Sequence, residues 1–106
     1  MSFDVSISEA AEADLARLLD FLLDRAETAE DFESAQEAVK NLRTALVSHL
    51  ALSPFSYRKA GDGRRSTRRE LIVPSGATGY VVQFEIENRA RVLVLKVRHQ
   101  REFDYQ

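Results

Sequence analysis

Tyr80-Val81-Val82-Gln83-Phe84-Glu85-Ile86-Glu87-Asn88-Arg89-Ala90-Arg91-Val92-Leu93-Val94-Leu95-Lys96-Val97 reads as two strands joined by a turn. Tyr80, Val82, Phe84 and Ile86 alternate with Val81, Gln83, Glu85 and Glu87, the period of a strand with one face on a core and the other toward water. Asn88-Arg89-Ala90 makes the turn. Val92 to Leu95 is apolar at every position, as expected of a strand covered on both sides or flanked by neighbours. Just upstream, Glu70-Leu71-Ile72-Val73 predicts another strand, ended by Pro74, and Ser75-Gly76-Ala77-Thr78-Gly79 is a turn of small residues able to take positive φ.

The earlier half of the chain has a different period. Ser8 offers an N-cap oxygen, Glu9 and Glu12 occupy a first turn where the helix dipole favours anions, and Ala11, Leu15, Leu18, Leu22 and Ala26 recur at helical spacing. A helix is predicted from about 9 to 26. Thr28 and Asp31 have capping-box spacing, and Phe32, Ala35, Val39, Leu42, Leu46 and Leu50 form a second apolar stripe. That helix should stop near Leu52, because Pro54 disfavours helical geometry at Ser53. At the start, Phe3, Val5 and Ile7 alternate with polar residues as a short strand does. Residues 54 to 68 read as a basic loop with Pro54, Gly61 and Gly63 among Arg58, Lys59, Arg64, Arg65 and Arg68. The order β-α-α-β-β-β predicts an α+β fold, with a helical hairpin packed on one face of a small, largely antiparallel sheet. Residues 1–106 form a single domain in this reading, without internal repeat or linker.

A chain of 106 residues sustains one core, burying roughly 65% of its unfolded surface. Its 44% hydrophobic and 30% charged fractions are those of an ordinary globular protein. The absence of cysteine excludes a disulfide framework, a thiolate zinc site and a cysteine nucleophile. Met1-Ser2-Phe3-Asp4-Val5 lacks a basic region ahead of a long apolar run, and no apolar stretch approaches the ~20 residues needed to cross a bilayer. The expectation is a cytoplasmic protein without a membrane segment. Net charge of −2 conceals a division. Residues 1 to 53 hold eleven acids against four bases, and residues 54 to 106 hold eleven bases against six acids. The acids suit solvated helix faces; the basic half suits an anionic partner.

Several chemistries find no support. Gly76 to Gly79 lacks both the Lys-Ser/Thr of a P-loop and the glycine spacing of a dinucleotide fold. His49 and His99 lie far apart with no helical i, i+4 partner, so neither metal nor cofactor is expected. No serine lies in a Gly-x-Ser-x-Gly elbow. What remains is His99 with Arg98, Arg101 and Tyr105, backed by Arg58, Lys59, Arg64, Arg65, Arg68 and Arg69. Such a group can cleave RNA without metal, with His99 and Tyr105 moving protons and arginines stabilising the charged phosphorane. It can equally grip an acidic surface with no chemistry at all. Composition leaves both open.

The chain resembles the RelE/ParE superfamily of bacterial toxins from type II toxin-antitoxin systems. The resemblance is carried by the opening strand with Ser8-Glu9-Ala10-Ala11-Glu12-Ala13-Asp14-Leu15, the helical hairpin, Arg69-Glu70-Leu71-Ile72-Val73-Pro74, Gly79-Tyr80-Val81-Val82-Gln83-Phe84-Glu85-Ile86 and Val97-Arg98-His99-Gln100-Arg101. It implies a small toxin bound by a cognate antitoxin whose C-terminal segment wraps it, adding helix and strand to its surface in a hetero-oligomer. RelE-like members are ribosome-dependent mRNA endonucleases, with an arginine directly after the tyrosine of the third strand. Here Val81 follows Tyr80, and a pI near 5.7 disfavours docking on ribosomal RNA. ParE-like members, associated with inhibition of DNA gyrase, are more similar in their longer hairpin and histidine-led ending. The expectation is therefore a gyrase poison whose target-binding residues are Arg58, Arg68, Arg69, Arg98, His99 and Arg101. If the chain were a nuclease, His99, Tyr105, Arg69 and Arg101 would be catalytic. A degenerate member that only binds its antitoxin is the third alternative.

Overall fold

The computed structural model describes residues 2–56, 58–59, 68–75 and 78–99. Its elements are β1 (Asp4–Ile7), α1 (Glu9–Asp24), α2 (Ala29–Leu52), a 3-10 turn (Pro54–Ser56), β2 (Arg58–Lys59), β3 (Arg68–Ser75), β4 (Thr78–Ile86) and β5 (Arg91–His99). The strands form one mixed sheet in the order β1-β5-β4-β3-β2, in which only β1 and β5 run parallel. The α+β architecture is the expected one, with the helical hairpin on one sheet face. Two details differ. Residues 54 to 68 are not all loop, because Arg58 and Lys59 pair with Glu70 and Arg69 as a short extra strand. Nor does Pro74 end its strand: β3 continues to Ser75, with Pro74 opposite Gly79. Because β2 stops at two residues, β3 is a sheet edge at Pro74 among the described residues, and an edge tolerates a residue without an N–H.

Both helices begin as their caps dictate. The Ser8 side chain accepts from the Ala11 N–H at 3.1 Å. Thr28 and Asp31 close a capping box, the Thr28 oxygen accepting from the Asp31 N–H and the Asp31 carboxylate accepting from the Thr28 N–H. Asp31 also accepts from the Glu27 N–H, and that bond, first among several, holds its carboxyl below the usual range. α1 closes at Asp24, slightly short of the expected end, and α2 ends ahead of Ser53-Pro54. Between the helices and the sheet lies the core, in which Leu46, Leu50, Val82, Phe84, Val92 and Val94 are fully buried. Phe21 and Phe32 stay about half exposed, at 51% and 49%, outside the buried cluster.

One junction sets the position of α1. β1 stops at Ile7, opposite Val94, while β5 runs on to His99. Beyond that point no strand among the described residues lies beside the outer edge of β5, and α1 takes its polar groups instead. Ser8 donates its hydroxyl to the Leu95 carbonyl at 3.3 Å, and the Val97 N–H donates to Asp14 Oδ2 at 2.8 Å. Leu95 is the extra residue of a β-bulge, since Gln83 faces Lys96 while Phe84 faces Val94. The bulge matters for phase. Val94 and Val97 are an odd number of residues apart and would otherwise point to opposite faces, yet both are buried in the core.

Asp14 also pairs with Arg17, whose side chain is 69% exposed, so the two bonds of this carboxylate differ in weight. Asp14→Ala should cost about 2 kcal/mol by leaving the buried Val97 N–H without its acceptor, whereas Arg17→Ala should cost about 0.5 kcal/mol or less. Urea unfolding of both variants separates these; equal losses would show that the ion pair is what counts.

A second link joins the helices to each other, where Arg43 donates Nη1 and Nη2 to Glu12 at 2.9 and 2.5 Å. The Arg43 hydrogen bond holds the Glu12 carboxyl below its ordinary value, and Glu12 raises Arg43 in turn. With the folded value depressed, the contribution is present above the ordinary carboxylate range and is lost as pH falls through the folded value. The pair is exposed, so it should be worth about 0.5 kcal/mol or less at neutral pH. Glu12→Gln should therefore differ slightly from the parent at pH 7 and converge with it in acid. A stability gap that does not close on acidification would contradict the ionic account.

Candidate functional site

Strand alternation sorts the candidate residues onto two faces. Residues directly opposite in an antiparallel pair share a face, so Tyr80 with His99, Val82 with Val97, and Phe84 with Val94 lie on the helix-covered side. Val73, Leu71 and Arg69 join them from β3, opposite Tyr80, Val82 and Phe84. The other face carries Val81 opposite Arg98 and Ile72, Gln83 opposite Lys96 and Glu70, and Glu85 opposite Arg68. Arg98 and His99 are thus neighbours in sequence that serve opposite faces. So are Arg68 and Arg69.

Each residue has a distinct setting. His99 is half-buried and meets the Tyr80 ring edge to face, with centroids 5.3 Å apart and planes at 85°. Arg98 is half-buried beside Val81, which is apolar and 6% exposed. Arg68 is exposed and reaches Glu85 at 3.8 Å. Arg69 is half-buried, with its guanidinium carbon 5.4 Å from the centroid of Phe55. Arg58 stands opposite Glu70 in β2. Arg101 and Tyr105 lie outside the described residues, as do Arg64 and Arg65.

Two features were not anticipated from the sequence. One is a groove of about 250 Å³ between α2 and the hairpin end of β3 and β4, lined by Ala38, Asn41, Leu42, Ala45, Val73, Pro74 and Tyr80. A second hollow of about 210 Å³, lined among others by Leu22, Ala26, Ala35 and Ala38, lies toward the hairpin tip. Ala38 borders both, so the hollows follow one side of α2. Alanines where larger residues would fill the space are the signal for it. The other feature is an exposed apolar corner at the far end of α2, where Leu52 is 72% and Phe55 60% exposed and Phe3 meets Phe55 edge-on at 6.2 Å.

The family model for the ParE toxin of the type II toxin-antitoxin system, parDE, matches residues 5–103. Seven solved chains match as well, among them one from the chromosomal ParDE toxin-antitoxin system of P. aeruginosa. That chain superposes with a TM-score of 0.68 at 13% identity, over 92% of this chain and 95% of the other. Comparison with curated protein sequences gives no match.

Proposed function

The chain belongs to the ParE toxin family of type II toxin-antitoxin systems, and on that premise we propose that it poisons DNA gyrase and is neutralised by a cognate antitoxin. The observation that carries the choice of target is Val81, buried and apolar beside Arg98, where an RNA-cleaving relative would place an arginine on the scissile phosphate. A poison needs no bond-making residue. It needs a surface that binds the cleaved enzyme–DNA state more tightly than the resealed one, because a ligand shifts an equilibrium only by its differential affinity. Arg58, Arg68, Arg69, Arg98, His99 and Arg101 are its contacts in this reading; Arg68 and Arg98 belong to one face of the sheet and Arg69 and His99 to the other. Purified protein should accumulate gyrase-mediated DNA breaks and lower supercoiling, and Arg98→Ala should weaken both about tenfold, equivalent to about 1.4 kcal/mol of binding. Unchanged supercoiling and cleavage with the parent protein would end this reading.

One observation favours RNA cleavage instead, the His99 imidazole against Tyr80, a proton carrier beside a phenol. That alternative requires truncated transcripts in cells that express the chain; the gyrase reading requires intact ones.

In this reading the antitoxin uses two features of the surface. The α2 groove accepts an apolar partner segment, and the edge of β3 beyond β2, with Ile72 40% exposed, accepts a strand. Hetero-oligomer formation there blocks target binding. Ala38→Phe fills the groove at the residue both hollows share, and should weaken antitoxin binding about tenfold or more by titration calorimetry while the toxin still arrests growth. Affinity should also fall as salt rises, since acidic antitoxin side chains meet the basic edge. Undiminished affinity in Ala38→Phe would place the antitoxin elsewhere. No helix among the described residues is long and apolar enough to cross a membrane.

A further inference from the structure

Four bases stand together in the β2–β3 strand pair, next to an aromatic ring that is held in place but not covered. Along α2 the charge changes sign. Its first part carries Glu30, Asp31, Glu33 and Glu37 with no base, and from Ala38 to Leu52 it carries Lys40, Arg43 and His49 with no acid. The acid-free end leads through Ser53-Pro54 to Phe55, and then to β2 and the start of β3. There Arg58 and Lys59 stand opposite Glu70 and Arg69, with Arg68 next in line. Five of the residues in that strand pair are thus four bases and one acid.

Phe55 itself does not behave as a core residue. Its ring remains 60% exposed, outside the buried cluster. It is nevertheless fixed, by the edge contact with Phe3 at 6.2 Å and by the Arg69 guanidinium 5.4 Å from its centroid. An immobilised, exposed aromatic ring with an arginine against it, on a strand pair rich in bases, has the composition of a platform on which an unpaired base stacks while its phosphates lie along the cations. An apolar protein partner would be served by Leu52 and Phe55 but not by the surrounding charge; a polyanion is served by both. The geometry points to a single DNA strand bound across this corner, with one base on Phe55 and the neighbouring phosphates along β2 and β3. The inference deepens the gyrase reading, on which it rests only for the choice of DNA over RNA: the poison holds the DNA of the cleaved complex directly.

The test is fluorescence anisotropy of the full chain with a labelled, roughly 12-nucleotide oligothymidylate, an oligouridylate and a duplex of equal length. Binding to the DNA strand should weaken between about 50 and 200 mM salt, and replacing Lys59 with alanine should lower the logarithmic salt slope by about 0.7, the value for one phosphate contact on a single strand. Phe55→Leu keeps apolar area but removes the ring, and should weaken binding about fivefold or more; Phe55→Tyr should restore most of it. Circular dichroism and thermal midpoints confirm that the variants fold. Equal binding to duplex, or tighter binding to the RNA strand, overturns the inference. So does a loss in Leu52→Ala as large as that in Phe55→Leu, or an affinity insensitive to salt, since either makes the corner an apolar protein surface. If the oligonucleotide does not bind but gyrase breaks still accumulate, this inference fails and the gyrase reading stands. If it binds and gyrase is unaffected, the strand-binding corner stands without that reading.

Discussion

The last strand of the sheet is longer than the strand beside it, and the groups left bare at its edge must be satisfied by something other than β-structure. Unpaired backbone groups buried from water are costly, and an open strand edge invites foreign strands. Here α1 provides the partners, with Ser8 on the Leu95 carbonyl and Asp14 on the Val97 N–H. Ser8 does this while capping its own helix, so the start of α1 and its docking on β5 are fixed by one side chain. With α1 fixed, the Glu12–Arg43 bridge and the shared core at Leu15, Leu18, Leu42 and Leu46 set α2. The direction of α2 in turn decides where its groove and its exposed far end lie.

The bulge at Leu95 sits within the same junction and determines what the end of β5 displays. Without the extra residue, the register that buries Val92 and Val94 would send Val97 and His99 to the outer face and Arg98 toward the helices. With it, Val97 enters the core, His99 meets Tyr80, and Arg98 emerges beside Val81 on the opposite face. A bulge stabilised by a serine and an aspartate from a helix therefore selects which charged groups occupy which face. That makes Asp14, which is not itself a candidate target contact, a determinant of their presentation.

Much of the fold was legible because its signals are local. Ser8, the Thr28–Asp31 box and Pro54 each act within a few residues, and the alternation from Tyr80 to Ile86 states one buried face directly. The bulge was not legible, because Val92 to Leu95 is apolar at every position and a one-residue shift leaves such a pattern unchanged. β2 was not legible because two residues between Pro54 on one side and Gly61 and Gly63 on the other have no period to detect. Asp14 was grouped with the solvated acids, although its spacing, i+3 from Ala11 and i−4 to Leu18, puts it within the apolar stripe. An acid in that phase signals a buried acceptor that has found a donor. In the candidate site, adjacency along a strand does not mean a shared face. Arg98 with His99, and Arg68 with Arg69, each divide between faces, while Phe55, the residue that Arg69 does meet, was distant in the chain and read only as part of a basic loop.

The charge gradient along α2 links the surfaces on which the proposed activities depend. The tip hollow, the groove at Tyr80 and the Phe55 corner follow one another along this helix, with Ala38 shared by the first two and β3 running from the corner at Arg69 back to the groove at Val73 and Pro74. Asn41 and Phe55 are fourteen residues apart, about 20 Å if helical rise is used for the whole interval. A partner segment of ordinary length that fills the groove therefore comes close to the corner as well. Its charges can complement α2 in only one direction, with bases against Glu30, Asp31, Glu33 and Glu37 and acids toward Lys40 and the β2–β3 pair, and reversal would set like charges together along its whole length. On the proposed reading, a helix whose sign changes along its length would orient such a segment and bring its acidic end toward the corner proposed to hold a DNA strand, so that the two would compete for the same cations.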